Sequence, residues 1–353
     1  MGLSWTDWPA EVLETLRRGA VMPAHPLALT PDRKLDVRRQ RALSRYYLDA
    51  GAGGLAVGVH TTQFAIRDVG LYRPVLELAM QTARDWSLKT PVMIAGAIGR
   101  TDQAVREAQM ARGLGYHAVL LSLAAFKGAS EDELIAHCQT VAQEMPVVGF
   151  YLQTAVGGIP LPASFWRRFA AIENVVAIKM APFNRYRTLD VIRGVAEAGA
   201  AERITLYTGN DDHIVLDLLC PFPVVVGGQP VMLRIRGGLL GHWSVWVRKA
   251  VELLERIHAA VAAGPIPADL LALDAQVSDC NAAIFDVAND FHGVTAGCHE
   301  ILRRQGLLAG IWCLDPREGL GQGQAAELDR VCAAYPHLND DAFVATHLAR
   351  WLG

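Results

Sequence analysis

A single lysine within an apolar stretch is the residue of this sequence with the clearest chemical potential. Lys179 ends the run VVAIK and precedes Met180, so its amine belongs to a segment typical of a buried strand. Lysine is rarely buried, and removal from water lowers its pKa toward that of the neutral amine that attacks carbonyl groups. The sequence therefore supports the hypothesis of a Schiff-base lysine. The alternative is a lysine at a strand end that reaches solvent or a salt-bridge partner.

A tyrosine at the end of the preceding apolar run is the second candidate. Tyr151 ends the run PVVGFY, so its strand would lie beside the strand of Lys179. A phenol at that position could carry protons to and from a carbinolamine. The alternative is an aromatic residue at the rim of the fold, but a neighbouring inward lysine favours the proton relay.

Hydroxyl and imidazole groups follow the first two apolar runs. Thr61 and Thr62, within GVHTTQF, could bind a carboxylate with their hydroxyls and the backbone N–H groups of the turn. His25 and His60 are further candidates for the binding site, although a lone histidine is more often structural. Residues 210–213 (NDDH) could suggest a metal site, but no second ligand cluster accompanies them. We interpret them mainly as a helix N-cap.

Eight short apolar runs are the elements that must position these side chains. None of the runs alternates polar and apolar residues, so each is predicted to be a parallel strand buried on both faces. Amphipathic segments separate them, which predicts the α/β class and a (β/α)8 barrel. Gly227 and Gly228 follow the predicted eighth strand, where they would let the backbone approach a ligand closely. The runs are residues 19–24, 54–59, 91–96, 118–123, 146–151, 175–180, 204–209 and 223–228.

The last third of the chain has a different pattern. Strand signals stop after residue 232, and four segments look helical: 241–263, 267–289, 291–306 and 324–335. We predict a barrel over residues 1–231 that carries the active site, and a C-terminal helical region over residues 232–353 packed on it. An open doubly wound sheet is the competing fold, but GAIGRT at 96–101 lacks the GxGxxG spacing.

Composition excludes several function classes. The 353 residues hold 33 Lys+Arg and 36 Asp+Glu, a net charge of −3 that argues against nucleic-acid binding. No apolar run reaches 18 residues, and the first residues do not look like a signal peptide, so no membrane association is expected. The six cysteines lack zinc spacing, which predicts reduced thiols in a cytoplasmic protein. We expect neither a metal nor an organic cofactor.

Several of these segments together resemble the dihydrodipicolinate synthase/N-acetylneuraminate lyase family. The resemblance runs from about residue 19 to residue 306 and rests on GAVMPAHPLALTPDRKLD, DAGAGGLAVGVHTT, PVMIAGAIGRTDQAVREAQMARGLG and LYTGNDDHIVLDLL. It is most specific at NVVAIKM, which is similar to the family's N-[IV]-V-G-[IV]-K lysine strand. Tyr151 stands upstream of it at the family's usual distance.

The resemblance implies roles for these side chains. Lys179 would form a Schiff base with a 2-oxo acid, Tyr151 would move the proton, and Thr61 with Thr62 would hold the carboxylate. The register of that loop is open, because alignment on the preceding glycine would place Val59 and His60 at the threonine positions. The family's dimer-of-dimers assembly implies a homodimer or a homotetramer.

Two departures from the family pattern concern the second substrate. Val156 stands where dihydrodipicolinate synthases have an arginine that binds the second carboxylate, and Phe126 falls near the tyrosine that a neighbouring subunit contributes. Valine cannot make the bidentate contact of an arginine. We therefore predict a class I lyase that acts on pyruvate or another 2-oxo acid and a hydrophobic or non-carboxylate aldehyde, and not dihydrodipicolinate synthesis. The alternatives are a 2-oxo sugar acid dehydratase that uses the same lysine and a catalytically silent binding relative.

Overall fold

Eight parallel strands form a nearly closed barrel, which confirms the predicted fold class. The computed structural model describes residues 2–353, which contain nine strands: β1 (Val21–Pro23), β2 (Gly54–Val57), β3 (Val92–Ala97), β4 (Ala118–Leu121), β5 (Val147–Tyr151), β6 (Val175–Met180), β7 (Thr205–Thr208), β8 (Pro221–Val226) and β9 (Gln229–Leu240). The barrel order is β1-β9-β7-β6-β5-β4-β3-β2, and β8 pairs only with β9. A parallel bridge between Ala24 and Ala56 joins β1 to β2.

Helices surround the barrel and form the C-terminal region. Each of the first seven strands is followed by one helix, in the alternation that parallel strands require. The helices are α1 (Ala10–Arg18), α2 (Val37–Asp49), α3 (Tyr72–Trp86), α4 (Thr101–Leu114), α5 (Glu131–Ala142), α6 (Ala163–Ala170), α7 (Arg185–Glu197), α8 (Ile214–Leu219), α9 (Val247–Ala263), α10 (Ala268–Ile284), α11 (Val294–Arg304), α12 (Gln324–Ala334) and α13 (Asp341–Leu352).

Strand alternation divides the apolar residues into an inner and an outer core. Successive side chains of a strand point to opposite faces, so one set fills the barrel and the other packs against the helices. The inner core includes Met22, Ile94, Leu120, Val148, Phe150, Ala177, Tyr207 and Leu239. The outer core includes Val57, Leu121, Tyr151, Ile178, Met180 and Leu206. This division decides which residues of β5 and β6 face the barrel interior.

The N-terminal helix closes one end of the barrel. Val12 and Leu16 of α1 belong to the inner core together with Trp8. The hydroxyl of Tyr207 donates a hydrogen bond to the carbonyl of Leu16 at 2.8 Å. This end is the one where the strands begin, so the opposite end is left for a site, as in other barrels of this type.

The eighth barrel strand is β9, and the prediction for residues 223–228 was wrong. β8 is the outer arm of an antiparallel hairpin, in which Val226 pairs with Gln229 across a turn of Gly227 and Gly228. Both glycines have positive φ, 57° and 81°, as a two-residue hairpin turn requires. β9 joins β7 in the barrel from Ile235 onward. The turn therefore lies before the barrel part of the strand, away from the end where the barrel strands finish, and the structure does not place the two glycines at the predicted position.

The sequence signal of β9 is interrupted by two glycines that the packing requires. A Cβ on Gly238 would lie 2.4 Å from the ring of Trp243, and one on Gly237 would lie 2.5 Å from the backbone of Ala20. The two glycines and the flanking arginines interrupt the apolar pattern of this strand. The sequence pattern therefore ends at residue 232, although the strand continues to Leu240. The predicted boundary between residues 231 and 232 falls inside β9, and the barrel ends at Leu240.

The C-terminal helices pack against the barrel helices. The hydroxyl of Tyr46 on α2 donates to Asp340 at 2.7 Å, and Trp351 Nε1 on α13 donates to Asp49 at 2.7 Å. The predicted helical segments contain α9, α10, α11 and α12, whereas α13 was not predicted. Buried polar contacts of this kind hold the end of the chain against the barrel wall.

Three further observations concern membrane-spanning helices, cysteines and metal-ligand clusters. Among residues 2–353, no helix is both long enough and apolar enough to cross a bilayer. All six cysteines are unpaired, and burial raises the pKa of Cys138, Cys280 and Cys298 to about 12. Within the described part of the chain, no group of three or more His, Cys, Asp or Glu side chains is placed to hold a metal ion.

Candidate active site

Lys179 points into the barrel at the end where the strands finish. It is the only one of the five lysines that is buried, with 7% of its surface exposed. Its amine nitrogen lies 4.5 Å from the centre of the Phe150 ring, on the neighbouring strand β5. Burial lowers the pKa of Lys179, and the negative charge of Asp211 acts in the opposite direction. A larger fraction of this amine is therefore neutral near pH 7 than for an exposed lysine.

A mostly apolar cavity surrounds the amine. Lys179, His60, Thr61, Gln153 and Asp211 are its polar side chains, and apolar residues form most of the wall. The barrel and the C-terminal region both contribute, so the site is not confined to residues 1–231 as predicted. The larger apolar lining residues are Phe150, Leu152, Val156, Phe183, Phe285, Phe291 and Val294.

Asp211 is a buried carboxylate in the same cavity, and it was not among the predicted site residues. It follows β7, is 5% exposed, and accepts a hydrogen bond from the backbone N–H of His242 at 2.9 Å. Burial raises the pKa of Asp211, and the positive charge of Lys179 opposes that rise. Acidic residues directly after a barrel strand were the signal that could have identified it.

The interpretation of residues 210–213 as a helix N-cap was wrong. Helix α8 begins at Ile214 with His213 at its N-cap position, but the N–H of Leu216 in its first turn donates at 3.0 Å to the carboxylate of Asp274, and not to a side chain of residues 210–213. Asn210 instead donates to Asp217 at 2.9 Å and to Thr188 at 3.1 Å, and accepts from the backbone N–H of Phe183 at 3.0 Å. This buried network fixes the loops that follow β6 and β7, which carry Phe183 and Asp211.

The structure does not bring Tyr151 to the amine. In the parallel register Phe150 is opposite Lys179, and Tyr151 is opposite Met180. Because side chains alternate, Phe150 faces the interior and Tyr151 packs outward, 5.3 Å from the ring of Trp166. The Tyr151 hydroxyl accepts a hydrogen bond from the N–H of Leu161 at 3.0 Å. The structure therefore places this phenol in a packing contact outside the cavity and not at the position that the predicted proton relay requires.

Tyr151→Phe tests this assignment. We expect the rate of imine formation at Lys179 to stay within about twofold of the unchanged protein, because the hydroxyl is outside the cavity. The free energy of unfolding should fall by about 1–3 kcal/mol, since the buried N–H of Leu161 loses its acceptor. Borohydride trapping and urea denaturation measure the two quantities. A drop of 100-fold in trapping with unchanged stability would restore the phenol to the reaction.

The two threonines of the loop after β2 have different positions. Both lie in a short 3₁₀ helix, His60–Thr62, and Thr61 lines the cavity. The Thr61 hydroxyl donates to the carbonyl of Ala24 at 2.7 Å, so it can only accept from a ligand. Thr62 is fully buried outside the cavity lining, and its hydroxyl donates to the carbonyl of His25 at 2.6 Å. The structure thus places Thr61, but not Thr62, where a substrate could reach it.

The two histidines also differ. His60 lines the cavity, and burial with the nearby charge of Lys179 lowers its pKa to about 4. His25 lies outside the lining and is fully buried, with its ring nitrogens 2.8 Å from the carbonyl of Pro26 and 2.8 Å from the hydroxyl of Ser44. Burial lowers the pKa of His25 to about 4 as well. Both imidazoles are therefore neutral near pH 7, and His25 is structural.

Val156 and Phe126, the two residues that depart from the family pattern, lie in different places relative to the cavity. Val156 lines the cavity, and its place near a second substrate stays a prediction. Phe126 is buried outside the cavity lining, where its ring centre lies 4.4 Å from that of His137. Within this single chain, Phe126 therefore has a packing role.

Gly209 leaves the space that the Lys179 side chain occupies. A Cβ at this position would lie 2.7 Å from Lys179 Cε and 2.9 Å from the Cβ of Ala181. We expect Gly209→Ala to displace the flexible amine and to lower the rate of imine formation by up to about 100-fold. The free energy of unfolding should fall by about 1–3 kcal/mol, because the new Cβ also meets the Cβ of Ala181. The matched control is Gly113→Ala on α4, where a Cβ meets no atom within 4 Å. Equal trapping rates for both variants would contradict this packing.

Comparison with known proteins places this site in a family context. The sequence profile described as the Dihydrodipicolinate synthetase family matches residues 18–227. A 4-hydroxy-tetrahydrodipicolinate synthase of Alkaliphilus oremlandii is 24% identical over 189 residues, which is 53% of this chain and 62% of the relative. A probable 5-dehydro-4-deoxyglucarate dehydratase of Leptothrix cholodnii is 38% identical over 95 residues, 27% of this chain and 30% of the relative. The chain thus spans less than two thirds of the length of these curated relatives.

The structural comparison agrees with the sequence match. The pyruvate complex of dihydrodipicolinate synthase from Acinetobacter baumannii superposes with a TM-score of 0.72 at 17% identity. The superposition covers 89% of this chain and 98% of that one. At this identity the likeness concerns the fold, and the profile match over more than half of the chain identifies the family. The chain belongs to the dihydrodipicolinate synthetase family.

Proposed function

We propose that the protein is a class I lyase that forms an imine between Lys179 and pyruvate or another 2-oxo acid, and that its second substrate is an apolar aldehyde. The observation that carries the proposal is the buried Lys179 amine, which opens into a cavity at the C-terminal end of the barrel. The pyruvate complex of the A. baumannii relative supports the 2-oxo acid. We expect the chemistry to need neither a metal nor an organic cofactor.

The chemistry follows from the neutral amine. Lys179 Nζ attacks C2 of the 2-oxo acid, and the carbinolamine takes up a proton and loses water to give an iminium. The iminium withdraws electrons from C3, so loss of a C3 proton gives an enamine that adds to an aldehyde carbon. The reverse sequence cleaves the same carbon–carbon bond. Thr61 and the N–H groups of its turn are the candidates to hold the substrate carboxylate.

The lining of the cavity supports an apolar second substrate. Val156, Phe183 and Phe291 form part of the wall, and the described lining residues include no arginine. A carboxylate on the second substrate would then lose water without gaining the bidentate contact that an arginine provides. We infer that an aromatic or aliphatic aldehyde binds better than the charged aldehyde used in dihydrodipicolinate synthesis.

A dehydratase of 2-oxo sugar acids is the second candidate. The match to the L. cholodnii dehydratase favours it, because such an enzyme would also use a Schiff-base lysine. The apolar wall weighs against it, since the hydroxyls of a sugar acid need polar partners. Burial of an amine costs stability, and a binding relative without catalysis would have no reaction for which to keep it, so this alternative fits the site less well.

Trapping and product analysis test the proposal together. The protein is incubated with pyruvate and sodium borohydride, and its intact mass should rise by one reduced adduct. It is then supplied with pyruvate and either benzaldehyde, butanal or aspartate semialdehyde, and products are identified by mass spectrometry. We expect 4-hydroxy-2-oxo acids from the first two aldehydes at rates at least about tenfold above the third. A preference for aspartate semialdehyde, or release of water from a 2-oxo sugar acid alone, would contradict it.

The family resemblance also supports a homodimer or homotetramer that acts in the cytoplasm. Sedimentation velocity on the full chain distinguishes the two assemblies, and a monomer at micromolar concentration would contradict both.

A further inference from the structure

The cavity lacks a phenol at the position where a proton carrier would meet the imine. The residue opposite Lys179 on β5 is Phe150, which has no ionisable proton. The Tyr151 hydroxyl is hydrogen-bonded to the N–H of Leu161 outside the cavity. Schiff-base chemistry needs a group that takes a proton from carbon and returns one to oxygen. Besides Lys179, the titratable side chains among the described lining residues are His60 and Asp211.

We propose that Asp211 is the general acid–base of the reaction, a role that rests on the proposed imine at Lys179. The loop after β7 brings the two groups to one place. The Lys179 side chain lies against the backbone of Gly209, whose absent Cβ would be 2.7 Å from Lys179 Cε, and Asp211 follows two residues later. The carboxylate is 5% exposed and lines the same cavity as the amine.

The surroundings of Asp211 hold it in one orientation. Its Oδ1 accepts from the N–H of His242 at 2.9 Å, and its own backbone N–H also stabilises the ionised carboxylate. The Asn210–Asp217 hydrogen bond of 2.9 Å fixes the start of the loop. Backbone N–H groups therefore hold the carboxylate in place while it lines the cavity. The opposing charges of Lys179 and Asp211 interact, and burial raises the carboxyl pKa toward neutrality, which suits proton transfer in both directions.

A single carboxylate completes the proton balance of the condensation. In the iminium, Asp211 takes one proton from C3, and the C–H electrons form the enamine. The enamine carbon then bonds to the aldehyde carbon, and the protonated Asp211 returns the proton to the new alkoxide oxygen. Water hydrolyses the iminium and releases a 4-hydroxy-2-oxo acid, the free amine and the proton taken up when the iminium formed, so the carboxylate ends as it began.

His60 is the competing proton carrier. It lines the cavity, and its ring packs 5.7 Å from that of Phe64. Its imidazole is neutral and weakly basic, because burial and the charge of Lys179 both lower its pKa to about 4. A base that weak takes a carbon-bound proton less readily than a carboxylate of raised pKa.

Deuterium exchange at C3 of pyruvate isolates the proton transfer from carbon–carbon chemistry. The full chain is incubated with pyruvate in D2O, and loss of the methyl signal is followed by proton NMR. We expect Asp211→Asn, which keeps an acceptor for His242, to lower the exchange rate by about 100-fold or more. The matched control is the exposed neighbouring carboxylate, and Asp212→Asn should stay within about twofold. Borohydride trapping of Asp211→Asn should still give the Lys179 adduct after long incubation.

Chemical rescue separates a proton carrier from a structural residue. Asp211→Ala with added formate should recover at least about a tenth of the exchange rate, whereas a merely structural carboxylate would not be replaced by a small acid in solution. Exchange in Asp211→Asn within about threefold of the unchanged protein, or loss of exchange in His60→Asn instead, would overturn the assignment of Asp211 and leave the imine intact. Absence of any adduct in the unchanged protein with pyruvate or 2-oxobutyrate would overturn the proposed function and this inference with it.

Discussion

Lys179→Met is expected to abolish the borohydride-trapped adduct and to lower turnover by about 10³-fold or more. Methionine keeps much of the length and apolar contact of the lysine stem but offers no nucleophile. The side chain is buried against Phe150 and Gly209, so the replacement occupies a space that already accepts an unbranched chain. The loss should therefore appear in the chemistry and not in the fold. Intact-mass trapping, product assays and thermal denaturation measure these effects.

The matched control uses an exposed lysine of the same chain. Lys127→Met removes an amine from the loop after β4, outside the cavity, and should leave trapping and turnover within about twofold of the unchanged protein. An adduct that persists in Lys179→Met, with the mass of one reduced pyruvate, would assign the chemistry to another amine. Equal loss in both variants would point to unfolding.

Glu107→Leu is expected to destabilise the protein by about 3–5 kcal/mol. The carboxylate of Glu107 on α4 pairs with the Arg67 guanidinium at 2.8 Å, and both side chains are less than 10% exposed. Arg67 also donates to the carbonyl of Gly96 at 2.9 Å and lies 4.3 Å from the centre of the Tyr72 ring. Loss of the carboxylate would leave this buried cation uncompensated. Because Arg67 ends the loop that carries His60 and Thr61, this part of the cavity wall should loosen as well.

An exposed pair supplies the control for this effect. Arg73 and Glu77 on α3 lie 3.7 Å apart with more than half of each side chain exposed, so Glu77→Leu should change the free energy of unfolding by less than about 1 kcal/mol. The double variant Arg67→Met with Glu107→Leu should recover part of the loss, since neither charge then remains buried alone. Urea denaturation monitored by circular dichroism measures all three. Equal small effects of Glu107→Leu and Glu77→Leu would contradict the importance of the buried pair.

The barrel could be predicted because each of its first seven strands coincides with a continuous apolar run in the sequence. Runs such as VVAIK and PVVGFY are apolar on both faces, and a parallel strand between helices is the environment that such a pattern favours. The eighth strand could not be predicted, since Gly237 and Gly238 replace apolar residues where Ala20 and Trp243 approach the backbone. Contacts with residues far away in the chain require these glycines, and such contacts leave no periodic apolar pattern in the sequence of the strand.

The inward position of Lys179 could be predicted from its sequence context. Which residue of β5 faces it could not. Lys179 lies in a strand whose alternation places its amine inside the barrel. Tyr151 and Phe150 are adjacent, and which of them faces inward depends on the register between β5 and β6. That register shifts between Val147 and Val148, so the spacing along the chain did not determine the facing side chain.

The sequence pattern also did not predict that the C-terminal region contributes residues to the cavity wall. Residues 267–289 were predicted to be helical, yet α10 ends at Ile284 and the chain turns back toward the cavity. Asp286, Asp290 and Phe291 adopt positive φ values of 56°, 52° and 65°, which helix propensity does not anticipate. This irregular segment brings Phe285 and Phe291 to the cavity, where the ring of Phe291 lies 5.8 Å from that of Phe183.

The central claim is that Lys179 is the imine-forming residue, and a labelled peptide map tests it most directly. The full chain is incubated with [2-13C]pyruvate, reduced with borohydride and digested with trypsin, which does not cleave after an alkylated lysine. The label should appear in one peptide, residues 169–185, with the modification on Lys179. Label on any of the other four lysines, or none on the protein, would contradict the account.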